Sequence, residues 1–180
     1  MELFMTRDTK KTQPLTEKTA AAPAGPQTGD HGPDFELTRD DGTTLRAKDL
    51  TGKPYVIYFY PKDDTSGCTQ EAIDFSALSK DFAKTGCAVI GVSRDSVKSH
   101  AKFRDKHSLS VALGSDESGT VTEQYGVWVE KSMYGRKYMG IERATFLHDA
   151  AGKVVKVWRK VKIPGHAAEV LKSAQELSKK

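Results

Sequence analysis

Tyr55-Val-Ile-Tyr-Phe-Tyr-Pro-Lys-Asp-Asp-Thr-Ser-Gly-Cys68-Thr-Gln-Glu-Ala-Ile-Asp-Phe75 is the stretch that decides the fold. Its first six residues are aromatic or β-branched, the composition of a buried strand. Pro61 ends that run, because it cannot donate to a sheet ladder. A polar turn over residues 62–67 leads into a helical pattern. At about 100° per residue, Ala72, Phe75, Leu78, Phe82 and Ala83 share one face, and Cys68 falls in the same sector. The spacing predicts one helix from Cys68 to a stop at Gly86. A cysteine at a helix start sees the positive end of the dipole and unpaired N–H groups, both of which favour thiolate over thiol. The chemistry is expected there.

Working outward, residues 87–93 read as the next strand, and strand–helix–strand order implies a right-handed parallel crossover. Asp95 and Ser96 open a helix running to about residue 106. A weak strand at 111–113 and a short helix at 118–125 follow. Upstream, residues 35–38 and 44–46 form a short hairpin about a turn at 40–43. Downstream, residues 144–148 and 153–158 form a second hairpin, and a last helix starts after Pro164. A parallel half, an antiparallel hairpin and a terminal helix make an α/β, thioredoxin-like plan: a central mixed sheet flanked by helices. Residues 1–28 are dominated by Thr, Lys, Ala, Pro and Gln and read as a flexible N-terminal tail. Residues 29–180 read as one domain.

Composition narrows the function classes. With 37% hydrophobic and 29% charged residues, the 180-residue chain has ordinary globular values. Its net charge of +4 comes without a basic cluster interleaved with aromatics, so nucleic-acid binding is not expected. Two cysteines, Cys68 and Cys87, are too few for a disulfide-stapled domain. The first residues lack a signal-peptide apolar core, and no run is long enough to cross a bilayer. A soluble protein in a reducing, cytoplasmic compartment is the expectation. His100 and His107 lack further ligands at metal-binding spacing, so no metal is expected. His31, His148 and His166 read as surface or turn residues. Cys87 reads as a core strand residue, and Glu71 as a carboxylate complementing the helix dipole, with a role in the site as the alternative. Trp128, Tyr134 and Tyr138 fit either a pocket rim or the core.

Pro61, Thr65 and Cys68 form a P-x-x-x-T-x-x-C pattern. Together with Tyr58-Phe-Tyr-Pro-Lys-Asp-Asp-Thr-Ser-Gly-Cys-Thr69, Gly126-Val-Trp128, Glu130-Lys-Ser-Met-Tyr-Gly135 and Gly140-Ile-Glu-Arg-Ala-Thr-Phe146, it resembles the peroxiredoxin Q subfamily, also called bacterioferritin comigratory protein. The resemblance covers residues 29–177. It implies a thiol peroxidase that reduces hydrogen peroxide and organic hydroperoxides, with Cys68 as the peroxidatic cysteine passing through a sulfenic acid. It implies that Thr65 and Arg143 bind the peroxide and stabilise the thiolate, that Pro61 shields the pocket, and that Gly67 belongs to the substrate-binding set. Thioredoxin, glutaredoxin or a small thiol is the implied reductant. No metal, haem or flavin is implied, and the implied state is a monomer. Thiolate formation alone is too small an effect: moving a thiol pKa from about 8.5 to about 6 raises the ionised fraction at pH 7 only about thirtyfold. Orienting the O–O bond and stabilising the departing oxygen must supply the rest.

One position departs from the pattern. Many members carry a second cysteine five residues after the first, where this chain has Ile73. Cys87 is no ready substitute. A helix of about 16 residues, roughly 24 Å long, separates it from Cys68, and a disulfide needs Cα atoms within about 7 Å. A one-cysteine cycle resolved by an external thiol is therefore expected. Two other readings stay open at this point. A thiol–disulfide oxidoreductase normally uses C-x-x-C, and Glu71 stands at its second cysteine. A non-catalytic binding or holdase module could use the same scaffold.

Overall fold

The computed structural model describes residues 25–180. The expected tail lies mostly outside the described residues, but its last four belong to the described part. There Pro26 is buried, and the Gly29 N–H just beyond donates to the Val154 carbonyl at 2.8 Å.

Strand β3 (Tyr55–Phe59) sits inside a seven-stranded sheet of order β2-β1-β5-β4-β3-β8-β9. It is apolar throughout because both faces are covered. Val56, Tyr58 and the following Tyr60 enter one core layer, and Tyr55, Ile57 and Phe59 enter the other. β4 (Ala88–Ser93) and β5 (Ala112–Ser115) extend the sheet in parallel. β8 (Ala144–His148) and β9 (Val154–Trp158) extend it antiparallel on the other side. β1 (Glu36–Arg39) and β2 (Thr44–Arg46) are antiparallel, and β1 closes onto β5. The Tyr58 ring lies over Gly91, its register partner. A Cβ there would come within 2.5 Å of the ring, so only glycine fits.

Helices cover both faces. α1 (Ser66–Ala77), α2 (Ser79–Lys84) and α5 (His166–Ser178) bury Ala72, Phe75, Phe82, Val170 and Ala174 in the first layer. α3 (Val97–His107) adds Phe103 to it. α4 (Thr120–Gln124) adds Val121 to the second layer. The mixed sheet flanked by helices is the thioredoxin-like plan read from the sequence.

Three expectations need correction. The single helix after Cys68 is two helices broken at Leu78, and Ala83 is exposed. The break is held by a residue distant in sequence: the Ser110 hydroxyl donates to the Ser76 carbonyl at 3.1 Å, while the Ser76 hydroxyl accepts the N–H groups of Ser110 and Val111. Gly86 does end the second helix, at φ 73, with Gly86 N–H to the Ala83 carbonyl and Cys87 N–H to the Phe82 carbonyl. Second, His148 and His166 are buried, not surface residues. Third, a separate hairpin of β6 (Trp128–Met133) and β7 (Arg136–Ile141) was not anticipated.

Candidate active site

The chain leaves the sheet after Tyr60, whose N–H still donates to the Val92 carbonyl at 3.1 Å. The loop turns through Asp64 at φ 58, and α1 begins after Thr65, its extended N-cap residue. Cys68 is the third residue of the helix and only 1% exposed. The N–H groups of that first turn have no intrahelical acceptor, which leaves a positive end beside the thiol.

Arg143, 75 residues away, meets the thiol from the segment between β7 and β8. Its Nη2 donates to Cys68 Sγ at 3.3 Å, and its Nη1 donates to Glu71 Oε1 at 3.1 Å. The Arg143 carbonyl accepts the Val161 N–H at 3.0 Å, which fixes the backbone. The Glu142 N–H donates to the Val127 carbonyl at 2.7 Å, and Arg159 pairs with the Glu142 carboxylate. Gly67 allows the close approach: a Cβ there would lie 3.0 Å from Ile163 Cδ1 and 3.3 Å from Arg143 Nη2.

Glu71 is buried against this guanidinium. Burial pushes its carboxyl up to about 7 although Arg143 pulls the other way, so desolvation outweighs the ion pair. Its Oε2 is buried without a hydrogen-bond partner among the described residues. A second cation comes from the hairpin. Lys131 on β6 has its ammonium pKa lowered by burial and then by Arg143, opposed by Cys68 and Glu142, so it shares their field. Lys131 was not singled out for this site in the sequence. Glu71 was weighed for a site role beside its dipole reading, and it stands one turn after Cys68 on the sheltered side of the helix.

Of the expected site residues, the structure brings Cys68, Arg143 and Gly67 together. The Thr65 hydroxyl donates to the Lys62 carbonyl at 2.9 Å, and the Pro61 and Thr65 side chains are exposed at the loop surface. Cys87 lies at the other end of the sheet, before β4, and burial pushes its thiol up to about 12. Tyr134 is 97% exposed at the hairpin tip, and Trp128 carries the Arg94 guanidinium 3.4 Å above its ring. Among the described residues one group, Asp63, Asp95 and His100, is close-set enough to consider for a metal. Three of its four carboxylate oxygens already accept hydrogen bonds from protein groups. No helix among the described residues is long and apolar enough to cross a membrane.

A buried thiol at a helix N-terminus, held by an arginine that also holds a carboxylate, suits attack on a polar, cleavable bond whose departing atom gathers negative charge. Comparison with known proteins agrees with that chemistry. The model of the AhpC/TSA family matches residues 28–157. Peroxiredoxin Bcp of Bacillus subtilis is 46% identical over 152 residues, 84% of this chain and 97% of the relative. The structure of the Xanthomonas campestris bacterioferritin comigratory protein, from work on its alkyl peroxide reduction activity, aligns with a TM-score of 0.77 at 44% identity. That match covers 80% of this chain and 92% of the other. A cysteine-to-serine mutant of Xylella fastidiosa PrxQ aligns with a TM-score of 0.81 at 38% identity over 85% of this chain and 98% of its own.

Proposed function

The chain belongs to the AhpC/TSA family as a thiol peroxidase of the peroxiredoxin Q type, and we propose that Cys68 is its peroxidatic cysteine, with Arg143 and the α1 N-terminus as the electrostatic partners of the reaction. The observation that carries this reading is the Arg143 bridge, Nη2 to Cys68 Sγ and Nη1 to Glu71. The Cys68 thiolate attacks the terminal oxygen of a hydroperoxide. The S–O bond forms as the O–O bond breaks, and the alkoxide takes up the proton that the thiol gave up, leaving as an alcohol, or as water from hydrogen peroxide. Cys68 becomes a sulfenic acid. Arg143, already aimed at Sγ, offers N–H groups to the oxygens on which charge develops. Gly67 supports the site by leaving room for the guanidinium. Thr65 and Pro61, exposed on the loop just before Cys68, are the proposed rim of the peroxide site.

The cycle is completed by an external thiol, from thioredoxin, glutaredoxin or a small molecule. That thiol attacks the sulfenic sulfur, releasing water and forming a mixed disulfide; a second thiol then frees Cys68. Ile73 supports this reading, since it is a 39% exposed hydrocarbon where a resolving thiol would serve. A reducing, cytoplasmic compartment and a monomer suit such a cycle. Hydrogen peroxide and alkyl hydroperoxides are the proposed substrates. The test is turnover of Cys68→Ser, expected to fall to background, and of Arg143→Ala, expected to slow the peroxide step by about a hundredfold or more. Peroxidase activity retained in Cys68→Ser would refute the assignment.

A further inference from the structure

Three buried histidines have different partners, and the partners dictate their charge. His148 Nδ1 faces the Tyr55 carbonyl at 3.2 Å and Nε2 faces the Tyr125 hydroxyl at 3.0 Å. A carbonyl only accepts and a hydroxyl can donate, so a neutral ring satisfies both. His166 Nε2 faces the Thr145 hydroxyl at 2.8 Å. Burial holds both rings down to about 4. His100 is built otherwise. Its Nε2 faces the Gly114 carbonyl at 3.1 Å, and its Nδ1 faces Asp63 Oδ2 at 2.7 Å. Both are acceptors. A neutral ring would aim a lone pair at one of them, in a position with no solvent exposure. The Tyr60 hydroxyl offers no relief, because it donates to Asp63 Oδ1 at 2.6 Å.

We propose that His100 is a buried imidazolium that, through Asp63, fixes the loop presenting Cys68, so that both are positioning residues for the peroxidase reaction. The proposal rests on the reading of Cys68 given above. Asp63 lies in that loop, five residues before Cys68, and its backbone N–H donates to Asp95 Oδ2 at 2.9 Å. The Ser99 hydroxyl donates to Asp63 Oδ2 at 2.8 Å. Asp64 follows at φ 58, and its carboxylate pairs with Lys106 and His107. Four side chains of α3 thus hold two consecutive loop residues. The Asp64 pairs are partly exposed and screened. The His100–Asp63 pair is not, and removing either partner would leave an uncompensated charge in the interior. The groups that face His100 are consistent with a cation. Asp63 comes from the loop, Asp95 from the segment before α3, the neutral Tyr60 from the end of β3, the Gly114 carbonyl from β5, and Ser99 from its own helix. Peroxide reduction needs the attacking sulfur in line with the O–O bond, and the loop sets that line.

The test has two readouts. In the intact wild-type protein labelled with 15N-histidine, a long-range 1H–15N correlation at neutral pH should show both ring nitrogens of His100 protonated. His148 and His166 should each show one bare nitrogen, and His100→Asn identifies the His100 signals. A bare nitrogen on His100 would overturn the proposal, and this measurement needs no variant to fold. Asp63→Asn and His100→Asn should slow the peroxide step by about 10- to 100-fold, the effect of a small misplacement. Alkylation of Cys68 by iodoacetamide needs a thiolate but no oriented peroxide, and should keep its wild-type rate. A peroxide step that is unchanged, or that falls only in proportion to alkylation, sinks the positioning role. Peroxidase activity surviving in Cys68→Ser would refute the underlying reading instead and leave the His100 charge state as measured.

Discussion

Glu71 shows what a single residue can hide. In the sequence it is one more carboxylate in a helix's first turn, and the dipole accounts for it. In the fold it is buried beside Arg143, and burial moves its carboxyl from 4.5 up to about 7. The sign of the consequence follows. Between those values the folded protein keeps a proton that the unfolded chain has lost, so stability falls as pH rises through that window and is flat above and below it. The size is on the order of 3 kcal/mol at most. Glu71→Gln keeps an acceptor for Arg143 Nη1 and removes the charge. Its melting temperature should match wild type near pH 4 and exceed it near pH 8; a difference independent of pH would contradict the burial argument. Gly67 makes the opposite kind of residue-scale prediction, on rate more than stability. Gly67→Ala places a methyl 3.3 Å from Arg143 Nη2. The peroxide step should slow about tenfold or more by stopped-flow, since displaced catalytic groups act on rate. An unchanged rate would mean that the guanidinium has room to retreat without loss.

At the scale of elements, the sequence was readable where punctuation and periodicity agree. β3, Pro61 and the start of α1 were legible because an apolar run, a strand breaker and a helical stripe follow one another within 21 residues. The break at Leu78 was not, because its cause is Ser110, far along the chain. The β6–β7 hairpin was missed because its strands are largely exposed and carry charges at adjacent positions, Glu130 and Lys131 on one and Arg136 and Lys137 on the other, so no apolar–polar alternation marks them. Its one local signal is the turn at Tyr134 and Gly135, both at positive φ (51 and 74), as a two-residue hairpin turn requires. α3 was read nearly to its ends, and its ends make a prediction. The Ser96 side chain accepts from the Ser99 N–H at 3.0 Å. Ser96→Ala should cost about 1 kcal/mol. At the other end Ser108 sits in the left-handed region, φ 50. Ser108→Gly should stabilise by about 0.5–1 kcal/mol, because glycine carries no Cβ penalty there. Urea denaturation of the two variants should move the midpoint in opposite directions; a shift in the same direction would show that the caps do not control this helix.

At the scale of the whole molecule, the parallel register of β3 and β4 decides how the catalytic cycle can close. Tyr55 pairs with Ala88 at one end of the sheet and Phe59 with Val92 at the other. Cys87 precedes the first pair and Cys68 follows the second. Four steps of strand span about 13 Å, already beyond the ~7 Å that a disulfide tolerates between Cα atoms. The two thiols differ in chemistry as well. Burial pushes Cys87 up to about 12, which leaves it almost wholly protonated at neutral pH and a poor nucleophile toward a sulfenic acid. This separation was the part of the site best read in advance, because it needs only strand order and helix length. The Cys68–Arg143 contact, by contrast, depends on how β7 and β8 meet and came from resemblance alone. The expected outcome is therefore specific. One equivalent of peroxide without added thiol should raise the intact mass by one oxygen, peptide mapping should find no Cys68–Cys87 link, and Cys87→Ser should turn over at the wild-type rate with an external thiol. A linked peptide, or a Cys87→Ser variant that stalls after its first oxidation, would mean that α1, α2 and the strand ends come apart during the cycle. The register would then describe only the reduced state.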